Sequence, residues 1–170
     1  HDIKFRQSNR AADFIRGISE EDSYHRLIDR GSLLHTLFSA IQTESDIEPA
    51  IEQLVFEGII GNKDTEEEIR AVALKAFTHP QVKEWYSGQW RLFNECAIIY
   101  NENGRTKVRR PDRVMMGNGR VIVVDFKFGK SDKRYERQVQ QYMNLLSRMG
   151  HQHIEGYLWY VEEELIQMVN

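Results

Sequence analysis

The pattern of apolar and polar positions along the chain changes character at about residue 90. Before that point it predicts helices. These are "GSLLHTLFSAI", capped around Ser32, then "DIEPAIEQLVFEGII", "DTEEEIRAVALKAF" with an acid-rich first turn, and a short "PQVKEWY". Residues 1 to 30 are more polar, with one helix expected near "EDSYHRLID". From "RLFNECAIIY" onward the pattern is that of strands. Two apolar runs then flank Asn118-Gly119, the strongest short-range hairpin signal, because a type I′ turn needs positive φ at both central residues. "DKRYERQVQQYMNLLSRM" predicts a long helix closed by Gly150, and "IEGYLWYV" and "LIQMV" predict two more strands joined at Glu162 to Glu164. The chain reads as one unit over residues 1–170, of α/β (α+β) class. Residues 1–90 are mainly helical, and residues 91–170 supply a mixed sheet of about four to five strands flanked by helices. No repeat, linker or low-complexity segment interrupts it.

The hairpin carries the first chemical signal. With Asn118 and Gly119 as the loop, Gly117 faces Arg120, Val114 faces Val123 and Asp112 faces Asp125. Opposed side chains share a face, with Cβ atoms roughly 4.5 to 5.5 Å apart. Period-2 alternation adds Lys127 to the face of Asp125 and sends Ile122, Val124, Phe126 and Phe128 to the other. Strand interiors are depleted in Asp, and two carboxylates about 5 Å apart repel by roughly 3 kcal/mol at an effective dielectric of about 20. A divalent cation or a shared proton would relieve this. Pro111, next to Asp112, has no N–H for the Phe126 carbonyl, so that oxygen can face the same cation. The result is a hard oxygen site suited to Mg²⁺ or Mn²⁺. The alternative is a hairpin whose end splays, with Lys127 bridged to both acids.

Charge sharpens the picture. The net charge of −3 argues weakly against a nucleic-acid partner, but its distribution does not. Residues 41–70 hold nine acids against Lys63 and Arg70. Residues 105–137 hold Arg105, Lys107, Arg109, Arg110, Arg113, Arg120, Lys127, Lys130, Lys133, Arg134 and Arg137 against Asp112, Asp125, Asp132 and Glu136. Positive charge gathers around the hairpin, as a phosphate-binding surface requires. The single cysteine, Cys96, excludes a disulfide framework, a Cys₄ zinc site and a four-cysteine iron–sulfur cluster within this chain. No apolar run approaches membrane-spanning length and no signal peptide opens the chain, so the expectation is a soluble intracellular protein with no membrane partner. A start at His1 rather than Met suggests part of a longer protein. "GNG" is a hairpin turn and not a phosphate cradle.

Pro111-Asp112 followed by Asp125-Phe126-Lys127 resembles the PD-(D/E)XK nuclease superfamily. Gly31-Ser-Leu-Leu-His35 and Gln138-Val-Gln-Gln-Tyr142 resemble the G-x-x-x-H and Q-x-x-x-Y elements of its RecB-like branch, so the matched elements span residues 31–142. The likeness is to the C-terminal nuclease domain of bacterial AddA-type or RecB-type helicase–nucleases, which process double-strand DNA breaks. It implies a restriction-endonuclease-like core preceded by an N-terminal helical region. It also implies Mg²⁺ or Mn²⁺ bound by His35, Asp112, Asp125 and the Phe126 carbonyl, with Glu95 as an extra ligand or a partner for Lys127. Lys127 would activate the attacking water and stabilise charge on the phosphoryl group, while Gln138 and Tyr142 would orient the DNA or buttress the site. Arg109, Arg110, Lys130 and Arg134 are the expected DNA contacts.

The implied reaction is metal-dependent phosphodiester hydrolysis of DNA, as an exonuclease in break repair and recombination. The implied partners are a helicase motor in the same polypeptide and a second subunit, in the bacterial cytoplasm at the nucleoid. No iron–sulfur cluster is expected, since the cysteines that other branches use for one are missing. Two positions depart from many relatives: Arg109 and Pro111 stand where Gly and an aliphatic residue are common. The competing function is a non-catalytic DNA-binding or scaffolding module with the same fold. His151-x-His153 has metal-like spacing but follows the helix-ending Gly150 and reads as a polar loop.

Overall fold

The computed structural model describes residues 4–7, 30–94, 96–129 and 131–170. The helix expected near residues 21–29 lies outside them, as do Glu95 and Lys130. Among the described residues four helices precede the large sheet: α1 (Arg30–Ala40), α2 (Ile47–Phe56), α3 (Lys63–Ala76) and α4 (Pro80–Trp85), with a 3₁₀ turn at Glu44–Asp46 ahead of α2. Capping explains their starts. Asn62 accepts the Thr65 N–H at 2.8 Å before α3, and Pro80 opens α4, where its missing N–H costs nothing. Ser32 is not the cap of α1. It lies inside that helix, where its carbonyl accepts the Thr36 hydroxyl at 2.9 Å.

Strands β2 (Arg91–Asn94), β5 (Arg113–Gly117), β6 (Arg120–Lys127), β7 (Ile154–Tyr160) and β8 (Leu165–Val169) form a five-stranded sheet in the order β2-β5-β6-β7-β8. Only the β6–β7 pair is parallel, and helix α5 (Lys133–Arg148) makes the crossover between those strands that a parallel pair requires. The sheet is mixed and flanked by helices, as expected for a restriction-endonuclease-like core. The β5–β6 register is the expected one: Gly117 opposes Arg120 and Val114 opposes Val123, across a turn in which Asn118 and Gly119 have φ of 51° and 72°.

A second sheet was not legible in the pattern. Strands β1 (Lys4–Gln7), β3 (Cys96–Glu102) and β4 (Arg105–Arg109) pair antiparallel in the order β1-β3-β4. The stretch "RLFNECAIIY" is therefore two strands in two sheets. The β3–β4 turn is Asn103-Gly104, with φ of 52° and 74°, chemically the same device as Asn118-Gly119.

Alternation along β6 separates two cores. Ile122, Val124 and Phe126 pack with Trp159 under α1 to α4, where Phe38 meets Trp159 edge-on at 5.1 Å between ring centroids. Val121 and Val123 face α5 instead, against Val139, Tyr142 and Leu146. The second sheet packs on the same helix through Ile98, Tyr100 and Leu145. Helix α5 sits close to β7 because residue 156 is glycine. A Cβ there would lie 2.7 Å from Val139 Cγ1 and closer still to Met143 Sδ. At its C-terminal end Gly150 takes φ of 94° and its N–H donates to the Ser147 carbonyl at 2.9 Å, the expected helix stop. Among the described residues no helix is long and apolar enough to cross a membrane.

Arg113, counted above with the basic surface, is in fact fully buried at the start of β5. Its Nη1 donates to the Ile41 carbonyl at 3.0 Å, and its Nη2 to the carbonyls of Gln42 at 3.0 Å and Trp85 at 2.8 Å. The Tyr86 ring covers the guanidinium at 3.8 Å. One side chain thus pins the segment after α1 and the end of α4 to the residue beside Asp112. Removing it takes their donor from the Gln42 and Trp85 carbonyls, a loss of about 1–3 kcal/mol each, while the Ile41 carbonyl keeps Asn94 Nδ2 at 3.2 Å. Arg113→Met is expected to lower stability by about 3 kcal/mol or more in equilibrium urea unfolding, whereas a loss within about 0.5 kcal/mol would show that the carbonyls find other partners.

Candidate active site

The site forms where the β5–β6 ladder runs out. Pro111 cannot donate to it, and pairing stops at Arg113 opposite Val124. Asp112 takes over the missing role with its side chain: Oδ2 accepts the Phe126 N–H at 2.8 Å. N–H and C=O of a strand residue point to the same edge, so the Phe126 carbonyl faces the Pro111 side, where no N–H is available. Asp112 and Asp125 are 5% and 2% exposed, and each carboxyl group acts on the ionisation of the other. They share one face, and Lys127 follows on it with Nζ 2.7 Å from Asp125 Oδ2.

Partners come from both helical layers. From α1, His35 Nε2 lies 2.5 Å from Asp112 Oδ1, and the imidazole meets the Phe126 ring edge-on at 6.0 Å. From α5, Gln138 Oε1 accepts from Lys127 Nζ at 3.2 Å, and Gln138 Nε2 donates to the Tyr142 hydroxyl at 2.9 Å. The Tyr142 hydroxyl donates in turn to the Arg110 carbonyl at 3.4 Å, and the Tyr135 ring lies 4.2 Å from Lys127 Nζ. These groups line an open cleft of about 490 Å³ with Val108, Arg109 and Arg110.

The two acids are electrically unequal. Burial and the neighbouring Asp112 push Asp125 up to about 7, against the weaker pull of Lys127. Burial acts on Asp112 in the same sense. The hydrogen bond and charge of His35, with contacts from Asp125 and the Phe126 N–H, outweigh it and hold Asp112 below the usual carboxylate range. Asp125 Oδ2 is the unsatisfied atom of the pair: although Lys127 Nζ is at ion-pair distance, it accepts no hydrogen bond of proper geometry. A buried carboxylate oxygen with no donor, beside a second carboxylate, suits a small hard cation. Among the described residues no three His, Cys, Asp or Glu side chains are already gathered to hold a metal ion, since His35 Nε2 is turned onto Asp112.

The structure thus brings together His35, Asp112, Asp125, Phe126, Lys127, Gln138, Tyr142, Arg109 and Arg110. Arg134 does not join them. It is exposed and folded onto its own helix cap, with Nη2 2.6 Å from Asp132 Oδ2. Arg120 lies at the hairpin turn and pairs with Glu155 at 2.8 Å. Sequence reading missed Gln141, whose amide holds Arg109, and Tyr135 over Lys127. Gln141 was legible in principle, because it lies one turn after Gln138 on the same helix.

Two buried acids and a lysine thus sit at the frayed end of a hairpin in a mixed sheet, and comparison with known proteins supplies the family. The model of the PD-(D/E)XK nuclease superfamily matches residues 9–169, and the chain belongs to that superfamily, whose members are generally metal-dependent nucleases. No protein of curated function matches it. The crystal structure of SSO0001 is similar at 17% identity over 80% of this chain and 66% of that one, with a TM-score of 0.36. This chain thus spans about two thirds of that chain's length.

Linkage gives a prediction. Asp125 binds its proton more tightly folded, near pH 7, than unfolded, near 3.8, so its contribution to stability is present below about pH 4 and is lost as pH rises to about 7. In EDTA the protein is expected to lose stability over that window. Asp125→Asn should flatten the profile and raise Tm above neutrality by about 3–8 °C, and Mg²⁺ should stabilise the native chain but not the variant. Thermal melts across pH, with and without metal, check this. A native profile parallel to that of Asp125→Asn would contradict it.

Proposed function

We propose that this protein is a Mg²⁺- or Mn²⁺-dependent deoxyribonuclease of the RecB-like branch, with its centre at Asp112, Asp125 and Lys127. The observation that carries the reading is the buried carboxylate pair, with Lys127 Nζ 2.7 Å from an Asp125 oxygen that lacks any proper hydrogen-bond donor. The metal would be held by Asp112, Asp125 and the Phe126 carbonyl, with His35 as the further donor. When bound it supplies Lewis acidity toward a phosphoryl oxygen and a nucleophilic water at neutral pH.

The chain's own residues do the rest. Asp112 fixes the Phe126 backbone by accepting its N–H, and so holds the peptide between the second acid and the lysine in place. Lys127 presents a point charge toward the cleft, where negative charge builds on the phosphoryl oxygens, and Gln138 limits its motion through the 3.2 Å contact. Tyr142 orients Gln138 in turn, so the pair acts as a brace on the ammonium group. His35, Gln138 and Tyr142 line the cleft, which supports the RecB-like assignment. We extend it to exonuclease action in double-strand break repair, with this chain as the nuclease part of a helicase–nuclease that has a partner subunit and works at the bacterial nucleoid.

The test is hydrolysis of end-labelled single- and double-stranded DNA in Mg²⁺, Mn²⁺ or EDTA. Cleavage is expected only with metal, and Asp125→Ala and Lys127→Ala should each reduce it by about 100-fold or more while the proteins stay folded. DNA binding without cleavage by the folded native chain would favour the non-catalytic module instead.

A further inference from the structure

Two charged residues at the cleft are left unused by the carboxylate and lysine chemistry, and Arg109 is the better held of them. It ends β4, an edge strand of the second sheet, and lines the cleft beside Asp112. The residue is half-buried, yet its hydrogen-bond partners are neutral: Nε donates to Gln141 Oε1 at 2.9 Å in a part-buried contact and Nη1 to the Val108 carbonyl at 3.2 Å in an exposed one. Gln141 is itself oriented, because its Nε2 donates to the hydroxyl of buried Tyr100 at 3.3 Å. The one acid of the β3–β4 hairpin, Glu102, is occupied by Lys107. Among the described residues Arg109 therefore forms no ion pair. The next residue, Arg110, is half-buried, also lines the cleft and likewise forms none.

A half-buried arginine given only neutral partners loses hydration without a counter-charge, a cost that an anionic ligand removes. Holding it through a chain of amide and phenol also fixes its orientation in advance, which lowers the entropy lost on binding. Resting on the nucleic-acid reading above, we propose that Arg109, set by the Tyr100–Gln141 relay and helped by Arg110, forms a subsite for one non-scissile phosphodiester of the strand being cut. The fork of a guanidinium suits two phosphate oxygens, whereas an ammonium group would act as a point charge. Helix α5 then serves the substrate twice: Gln138 steadies Lys127, and Gln141, one turn further on, steadies Arg109.

The experiment is a methylphosphonate walk. A single neutral linkage is moved along a short fluorescent single strand, and binding is measured to Asp125→Asn protein with Arg109 intact, with Arg109→Gln and with Arg109→Lys. One linkage position is expected to weaken binding about tenfold or more with Arg109, to have no effect with Arg109→Gln, and to have an intermediate effect with Arg109→Lys. In the otherwise native enzyme, Gln141→Leu should raise KM for DNA several-fold with kcat retained. Should Arg109→Gln not fold, Arg109→Lys and Gln141→Leu carry the same comparison. A walk of identical shape with and without Arg109, while the native chain cuts DNA, overturns the subsite and leaves the nuclease reading intact. An Arg109-dependent position in a chain that never cuts overturns the nuclease reading and leaves the subsite.

Discussion

Two carboxylates face each other across a pair of strands whose ladder has just ended, and the surrounding structure is arranged to tolerate them. Pairing ends at Arg113 and Pro111 cannot resume it, so the backbone there has unmet hydrogen-bonding groups of its own. Asp112 meets one of them with its side chain, which commits that carboxylate to a fixed orientation and to the charged form. Asp125 is left with the opposite character, because the same burial and the charge of its neighbour favour its proton. One residue without an N–H thus turns two chemically identical side chains into an anchored anion and a group poised to change state near neutrality.

The pair needs stiff surroundings, since attraction to any ligand has to be stronger than relaxation apart. Arg113 provides this on the helical side, drawing backbone carbonyls from two separate segments onto the start of β5. His35 is carried by the helix that ends just before one of those carbonyls, so the imidazole and Asp112 are referenced to the same buried guanidinium. On the other face α5 supplies Gln138, Gln141 and Tyr142 from successive turns. The site is therefore clamped between layers that pack on opposite faces of one sheet.

Much of this was legible in the sequence because it depends on short-range chemistry. Asn118-Gly119 fixes a turn, the turn fixes a register, and the register opposes Asp112 to Asp125 without tertiary information. Helix α5 was equally readable from its apolar stripe and its Gly150 stop. What failed was non-local. The stretch "RLFNECAIIY" reads as strand, and only pairing shows that it divides between two sheets. The Asn103-Gly104 turn carried the same signal as its twin but sat between polar residues, where alternation is weak. Arginine identity was the other blind spot. Arg113, Arg120 and Arg134 belong to one basic stretch, yet the first is core, the second pairs at the far turn and the third pairs with the N-cap residue of its own helix. A sequence records the charge and not the neighbours that neutralise it.

Gly156 gives this arrangement a built-in spacing gauge. The absence of one carbon on β7 lets Val139 and Met143 of α5 rest against the strand backbone. Val139 adjoins Gln138, and Met143 adjoins Tyr142, so the seat of the helix also sets how deep the brace on Lys127 reaches. A methyl group at position 156, far from any reacting atom, would lift the helix and lengthen that reach. The tolerance of the cleft to drift is therefore decided between β7 and α5, at a residue with no functional group at all.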